Sequence, residues 1–372
     1  HNLPQIVPRP RMILHSTSVN QAIDSGITAN FIKEILVARR RSPRVGADDI
    51  PLAMVRKRAA VADEALATRA AVLLVHGYGQ NRYAWHLPSR SFCNYLAGAG
   101  FDVFNLDLRG HGRSRHLGAH LPGALSDYVE EDLPVAVDEV LRQSGHERVF
   151  LIGHSLGGLI SYCAAASRPA PIAGVISLGS PYHFTRDSRT LRWLGGLMLR
   201  IDRLVRLDAQ ALPLEHVGEL FRLARGWMES ALFPLPLRAY APRSMEPRVL
   251  GQHMALAMDR GSIAVMRDMF RQAAESRASG HRLGALYGYA ARFEKLDLPL
   301  LVIAGAADDF APPSAVRPAY ELSGSSDKHF QVFPRGHIDL IMGREAPATV
   351  WPCVRDWIAL RAVTSNTTEV RT

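Results

Sequence analysis

The chain has 372 residues, 47% hydrophobic and 21% charged, with a net charge of +9. This is the composition of an ordinary soluble globular protein with a large core, either one large domain with an insertion or two domains. No apolar run reaches the roughly 20 residues that cross a bilayer, and the positive charge is scattered arginine, with Lys33, Lys57, Lys295 and Lys328 the only lysines, so nothing marks a nucleic-acid binder. Cys93, Cys163 and Cys353 lack metal or disulfide spacing, which makes a reduced, cytoplasmic protein the expectation. The chain begins at His1, so secretion after loss of a signal peptide is left open.

Residues 1–45 read as a lead-in, in which "VNQAIDSGITANFIKEILVARRR" carries a weak helical period. Short apolar runs follow: "AVLLV" (71–75), "FDVFNLD" (101–107), "RVFLI" (148–152), "IAGVISLG" (172–179), "PLLVIA" (299–304) and "HFQVF" (329–333). Continuous rather than alternating apolar runs suit strands buried on both faces. Helical patterns lie between them. "SFCNYLAGAG" and "LSDYVEEDLPVAVDEVLRQSG" both stop at glycine, and Pro134 must sit in an early turn of the second or kink it. Strand alternating with helix predicts an α/β fold with a mostly parallel sheet covered on both faces.

The alternation breaks over 183–297. "SRTLRWLGGLMLRIDRLVRL", "LEHVGELFRLARGWMESALF", "EPRVLGQHMALAMD" and "SIAVMRDMFRQAAES" read as helices without a buried strand. The expected organisation is a core of residues 46–182 and 298–372 with a helical cap of 183–297 inserted into it. The first cap helix sets apolar Trp193, Leu194, Leu197 and Ile201 beside Arg192, Arg200 and Arg203. Such a helix packs on the domain, covers an acyl pocket as a lid, or lies peripherally on an anionic membrane.

In "VFLIGHSLGGLISY" a serine, Ser155, stands between a strand and a helix, fenced by Gly153 and Gly157. This is the nucleophile-elbow pattern G-x-S-x-G in the strand–turn–helix context it needs. Small neighbours let the backbone turn sharply and lift one hydroxyl out of the sheet edge. A hydroxyl is a weak nucleophile and requires a base. The loops after the last two strands supply candidates: Asp308 and Asp309 in "VIAGAADDFAPP", and His337 in "VFPRGHIDLIMG". His337 is the expected base and Asp308, at the G-x-x-D spacing from Gly305, the expected orienting carboxylate. The oxyanion donors are expected to be the backbone N–H groups of Leu156 and of Tyr78 in "LLVHGYGQ". His76 reads as structural. His111, His116 and His120 lie on a glycine-rich loop without a metal-ligand pattern, so no metal and no cofactor is expected.

Together "HGYGQNRYAW", "GFDVFNLDLRGHGRS", "DYVEEDLPVAVDEVL", "GHSLGG", "AGAADDFAPP" and "GHIDLIMG" resemble the α/β-hydrolase superfamily. Some pieces are similar to acid-lipase-type lipases, although "RGHGRS" is the general hydrolase version of its loop and the cap matches no particular family. The resemblance implies hydrolysis of a small-molecule or lipid ester through an acyl-enzyme, with Ser155, Asp308 and His337 as catalytic residues and Tyr78 and Leu156 at the oxyanion hole. Serine at the elbow, rather than aspartate or cysteine, argues against epoxide hydrolases, haloalkane dehalogenases and polyhydroxyalkanoate synthases. The same residues would also serve an acyltransferase or a hydrolase of amides, lactones or carbon–carbon bonds. A non-catalytic binding protein on this scaffold is the reading from another class. Chain length, head group and oligomeric state stay open.

Overall fold

The computed structural model describes residues 13–39, 50–60, 68–205, 211–214, 216, 239–278 and 288–367. It begins with three strands that the sequence reading did not include: β1 (Ile13–Asp24), β2 (Ile27–Arg39) and β3 (Pro51–Ala59). The helical period seen in the lead-in is overturned here. β1 and β2 form an antiparallel hairpin whose turn holds Gly26 at φ 76°, a left-handed conformation that glycine adopts without a side-chain clash. "DSGI" is thus a strand-to-strand turn, and β2 is rich in the β-branched residues that favour a pleated surface.

The apolar runs become β4 (Ala71–Val75), β5 (Asp102–Leu106), β6 (Val149–His154) and β7 (Ile172–Leu178). A two-residue pair follows, β8 (Ala211–Leu212) with β9 (Gly261–Ser262), and then β10 (Leu300–Gly305) and β11 (Lys328–Phe333). Among the described residues nine strands make one sheet in the order β1-β2-β3-β5-β4-β6-β7-β10-β11. Its first three strands and the β3–β5 junction are antiparallel, and the rest is parallel.

The six longest helices among the described residues are α1 (Phe92–Gly98), α2 (Leu133–Ser144), α3 (Leu156–Ser167), α4 (Arg189–Val205), α5 (Ile263–Ala278) and α6 (Val350–Thr367). Alternate strand residues face opposite sides, so two cores form. Leu73, Leu151, Val175 and Val302 pack under α2 and α3, while Val72, Leu74, Ile152 and Leu301 pack under α1 and α6. Pro134 lies in the first turn of α2, directly after a wider π turn over Tyr128–Asp132; proline has no N–H for the regular ladder.

Between β7 and β10 the described residues hold α4, the β8–β9 pair, a short helix Pro247–Gln252 continued by a π turn, and α5. The strand pair interrupts what read as an all-helical stretch. The helix expected over 214–233 falls almost wholly outside the described residues. No helix among the described residues is long and apolar enough to cross a membrane.

Candidate active site

Ser155 occupies the turn between β6 and α3 at φ 53° and ψ −122°, a backbone state that costs a non-glycine residue energy and persists only where its surroundings impose it. They do so from three sides. A Cβ on Gly153 would overlap the backbone of Gly157 and Gly158, and one on Gly157 would overlap the carbonyl oxygens of Val75 and His76. The Ser155 N–H is tied to the Leu178 carbonyl at 3.0 Å. The small residues around the serine are therefore a packing requirement of the elbow.

His337 and Asp308 meet. His337 Nδ1 lies 2.7 Å from Asp308 Oδ2, and both residues are buried. Asp308 Oδ1 accepts the N–H groups of Phe310 and Ala311 at 2.9 and 2.8 Å. One carboxylate oxygen is thus fixed by the loop and the other is presented to the imidazole. Gly179, at φ 57°, lies beneath the pair, where a Cβ would stand 3.1 Å from Asp308 Oδ2 and 3.3 Å from His337 Nδ1. Asp339 does not compete for His337; it is buried and accepts the Gly336 N–H at 3.0 Å, pinning the loop from below.

Residues the sequence reading left without a role complete the connection. His154 Nε2 donates to the His337 carbonyl at 3.0 Å, with the two rings 4.6 Å apart. Burial, with the neighbouring His337 next in weight, holds the His154 pKa well below the ordinary imidazole value. The only sequence signal for it was its place inside G-x-S-x-G.

The loop after β4 lies against the elbow. A Cβ on Gly77 would stand 3.2 Å from that of Ser155. The Gly77 N–H is already engaged by Gln80 Oε1 at 3.2 Å, whereas the Tyr78 and Leu156 N–H groups have no acceptor among the described residues. The Tyr78 hydroxyl donates to the Ser262 carbonyl at 2.8 Å. Asp259 ties the same loop to its surroundings: its N–H donates to Gly79, and its carboxylate accepts from Gly112 N at 2.8 Å and pairs with Arg115 at 2.8 Å. Asp259 and Ser262 gave no sequence signal because their partners are distant in the chain.

His76 is structural, as expected. Its Nε2 accepts the Leu108 N–H at 3.1 Å, so Nδ1 carries the proton that it donates to Gly77 O at 2.9 Å. Burial, and then His111 nearby, push its pKa down to about 4. Among the described residues no group of three or more His, Cys, Asp or Glu stands where it could hold a metal ion.

A strained serine elbow, a histidine–carboxylate pair from the last two strand loops and a parallel sheet find their match in a family profile described as alpha/beta hydrolase fold, which covers residues 70–343. The chain belongs to the alpha/beta hydrolase fold family. This hydrolase-fold chain is similar to the poly(3-hydroxyalkanoate) polymerase subunit PhaC of Haloferax mediterranei, 26% identical over 300 residues that cover 79% of the chain and 60% of that protein. It thus spans about three-fifths of the length of that relative. The monoacylglycerol lipase of Mycolicibacterium smegmatis is 25% identical over 266 residues, 72% of the chain and 80% of that enzyme. Among solved structures, the monoacylglycerol lipase of Paleococcus ferrophilus superposes with a TM-score of 0.56 at 21% identity, over 83% of the chain and 99% of that protein.

Proposed function

We propose that the chain is a serine hydrolase that cleaves carboxylic esters of apolar acyl groups through an acyl-enzyme. The observation that carries this reading is the buried His337–Asp308 hydrogen bond on the loops after β10 and β11, bound through His154 to the elbow that bears Ser155. Ser155 Oγ attacks the ester carbonyl while His337 takes its proton. The imidazolium so formed is stabilised by Asp308, and the developing oxyanion by the N–H groups of Tyr78 and Leu156. His337 then protonates the departing alcohol, and a water activated by the same imidazole releases the acid.

Two features support an apolar acyl group. The relatives include monoacylglycerol lipases. On α4, Trp193, Leu194, Leu197 and Ile201 are exposed beside exposed Arg192, Arg200 and Arg203, a face suited to an anionic lipid surface. A second reading, acyl transfer to an alcohol in place of water, is favoured by the similarity to polymerase subunits.

The test is a chain-length series of p-nitrophenyl esters, from acetate to palmitate, on wild type and Ser155→Ala. Turnover should peak at medium or long chains and fall roughly 10⁴-fold in the variant. Turnover that survives the substitution defeats the serine assignment, and activity on acetate alone defeats the apolar acyl group. Ester exchange outrunning hydrolysis in dilute alcohol would select the transferase.

A further inference from the structure

Lys33 on β2 and Lys57 on β3 stand directly opposite each other in the sheet register. Like charges directly opposite across a strand pair are destabilising, and no carboxylate lining the same hollow neutralises this pair among the described residues. Both lysines line a cavity of about 470 Å³, together with Arg82 and Arg113. No carboxylate lines that cavity among the described residues. Arg82 is paired with Asp107 at 2.5 Å. The Asp107 carboxylate also accepts the Arg113 backbone N–H at 2.9 Å, but the side-chain cations of Lys33, Lys57 and Arg113 have no ion pair with a carboxylate among the described residues.

Lys57 is the deepest of the four, 1% exposed. Its ammonium donates to Gln21 Oε1 at 2.5 Å and Asn94 Oδ1 at 2.7 Å, and lies 3.2 Å from His86 Nε2. All three partners are uncharged, since burial and then Lys57 itself keep the His86 imidazole well below its ordinary pKa. Lys33 is pressed from the same side: after burial, the charges of Arg82 and Arg113 lower its pKa. A buried cation without a counter-charge is costly, and three surplus positive charges around one hollow call for an anion of more than one charge. The volume lies within the range of small-ligand sites. None of the lining residues belongs to the Ser155–Asp308–His337 group.

We infer that the cavity between the β1–β3 strands and the 82–93 segment is a binding site for a phosphate-bearing anion, held by Lys33, Lys57 and Arg113. A phosphate group brings close to two negative charges and several acceptor oxygens, which suits two ammonium groups and a guanidinium better than a monocarboxylate does. The inference is independent of the ester-cleaving reading, and its readout is binding alone.

The experiment titrates inorganic pyrophosphate into the full chain by calorimetry at constant ionic strength, with acetate as comparator. The double variant Lys33→Gln/Arg113→Gln leaves Lys57 and the core intact and should keep the activity on p-nitrophenyl esters. Saturable one-to-one binding of pyrophosphate, absent for acetate and weakened about tenfold or more in the double variant, is the expected result. No saturable binding at millimolar pyrophosphate, or equal binding by the double variant, overturns the site. Vesicles of phosphatidylcholine with and without phosphatidic acid tell the sources apart. Phosphatidic acid-dependent sedimentation that needs Lys33 and Arg113 and is competed by pyrophosphate identifies a lipid headgroup. Pyrophosphate binding without such sedimentation identifies a soluble phosphate compound.

Discussion

His154 donates its Nε2–H to the carbonyl oxygen of His337 at 3.0 Å, so the residue before the candidate nucleophile holds the backbone of the candidate base. A carbonyl only accepts, which places the proton on Nε2, and the buried ring is neutral. Replacing His154 by phenylalanine keeps a ring and removes the donor. The expected outcome is a fall in kcat of about tenfold with KM little changed, because the loss is one of positioning and not of substrate contact. Urea unfolding should show a loss of about 1–3 kcal/mol for the stranded carbonyl. An unchanged kcat would remove His154 from the positioning of His337.

Asp308→Asn tests the orientation of the imidazole. The Phe310 and Ala311 N–H groups hold Oδ1 of Asp308, so the asparagine oxygen stays there and its NH₂ turns toward His337 Nδ1. Nδ1 must then accept, and the proton moves to the nitrogen that should receive the one from Ser155. Steady-state kinetics near pH 7 should show kcat reduced by about 10³–10⁴, with the fold retained by circular dichroism.

Two glycines should respond in opposite directions to alanine. Gly157→Ala drives a methyl into the Val75 and His76 carbonyls and should destabilise by about 3 kcal/mol or more. Gly196, within α4, has nothing within 4 Å of its Cβ position, so Gly196→Ala should stabilise by up to about 1 kcal/mol through helix propensity. Thermal unfolding of both variants checks the contrast.

Arg90 joins three distant parts of the chain. Its guanidinium, 2% exposed, pairs with Asp24 at 2.7 Å and Glu246 at 2.8 Å, and donates to the Met342 carbonyl at 3.1 Å. Arg90→Ala should cost about 3–5 kcal/mol, the range for breaking a buried ion pair from one side. Proteolysis near Asp24 should accelerate if the hairpin is released with it.

Acid should unfold the protein through its buried histidines. Burial pushes His76 and His253 down to about 4. Between pH 6.5 and 4 the unfolded chain binds protons at these rings and the native state does not, so stability falls as pH falls, by about 3 kcal/mol for each by pH 4. Asp132, raised by burial to about 6 despite Arg109, acts in the opposite direction over the same interval and offsets part of the loss. Urea midpoints at pH 7 and 4.5 should show the net fall, and His253→Leu should reduce it. An unchanged midpoint in both wild type and His253→Leu would show that these rings take up protons in the native state as readily as in the unfolded chain.

The parallel strands were legible because burial on both faces leaves continuous apolar runs: Ala71–Val75 is buried throughout and was bounded in the sequence to the residue. The hairpin was not legible. β1 is the edge strand and β2 lies next to it, and in both strands half-exposed residues mix apolar and polar without a clean period. β3 was missed for a related reason: Arg56 and Lys57 interrupt its apolar run, and their burial depends on partners elsewhere, Asp102 and Glu34 for Arg56, Gln21 and Asn94 for Lys57. A buried charge cannot be recognised until its partner is.

The sequence by itself determined the α/β alternation, the serine turn, and the nomination of Asp308 and His337, because strand burial and the glycine requirement of a sharp elbow are local properties written in consecutive residues. The tertiary structure alone decided that His154 and Asp339 brace the loop of His337, that Asp259 clamps the segment behind Tyr78, and that four cations share one cavity. Those relationships join residues up to 183 positions apart in the chain, and hydrogen bonds and charge pairs act over a few ångströms of space whatever the separation along the sequence.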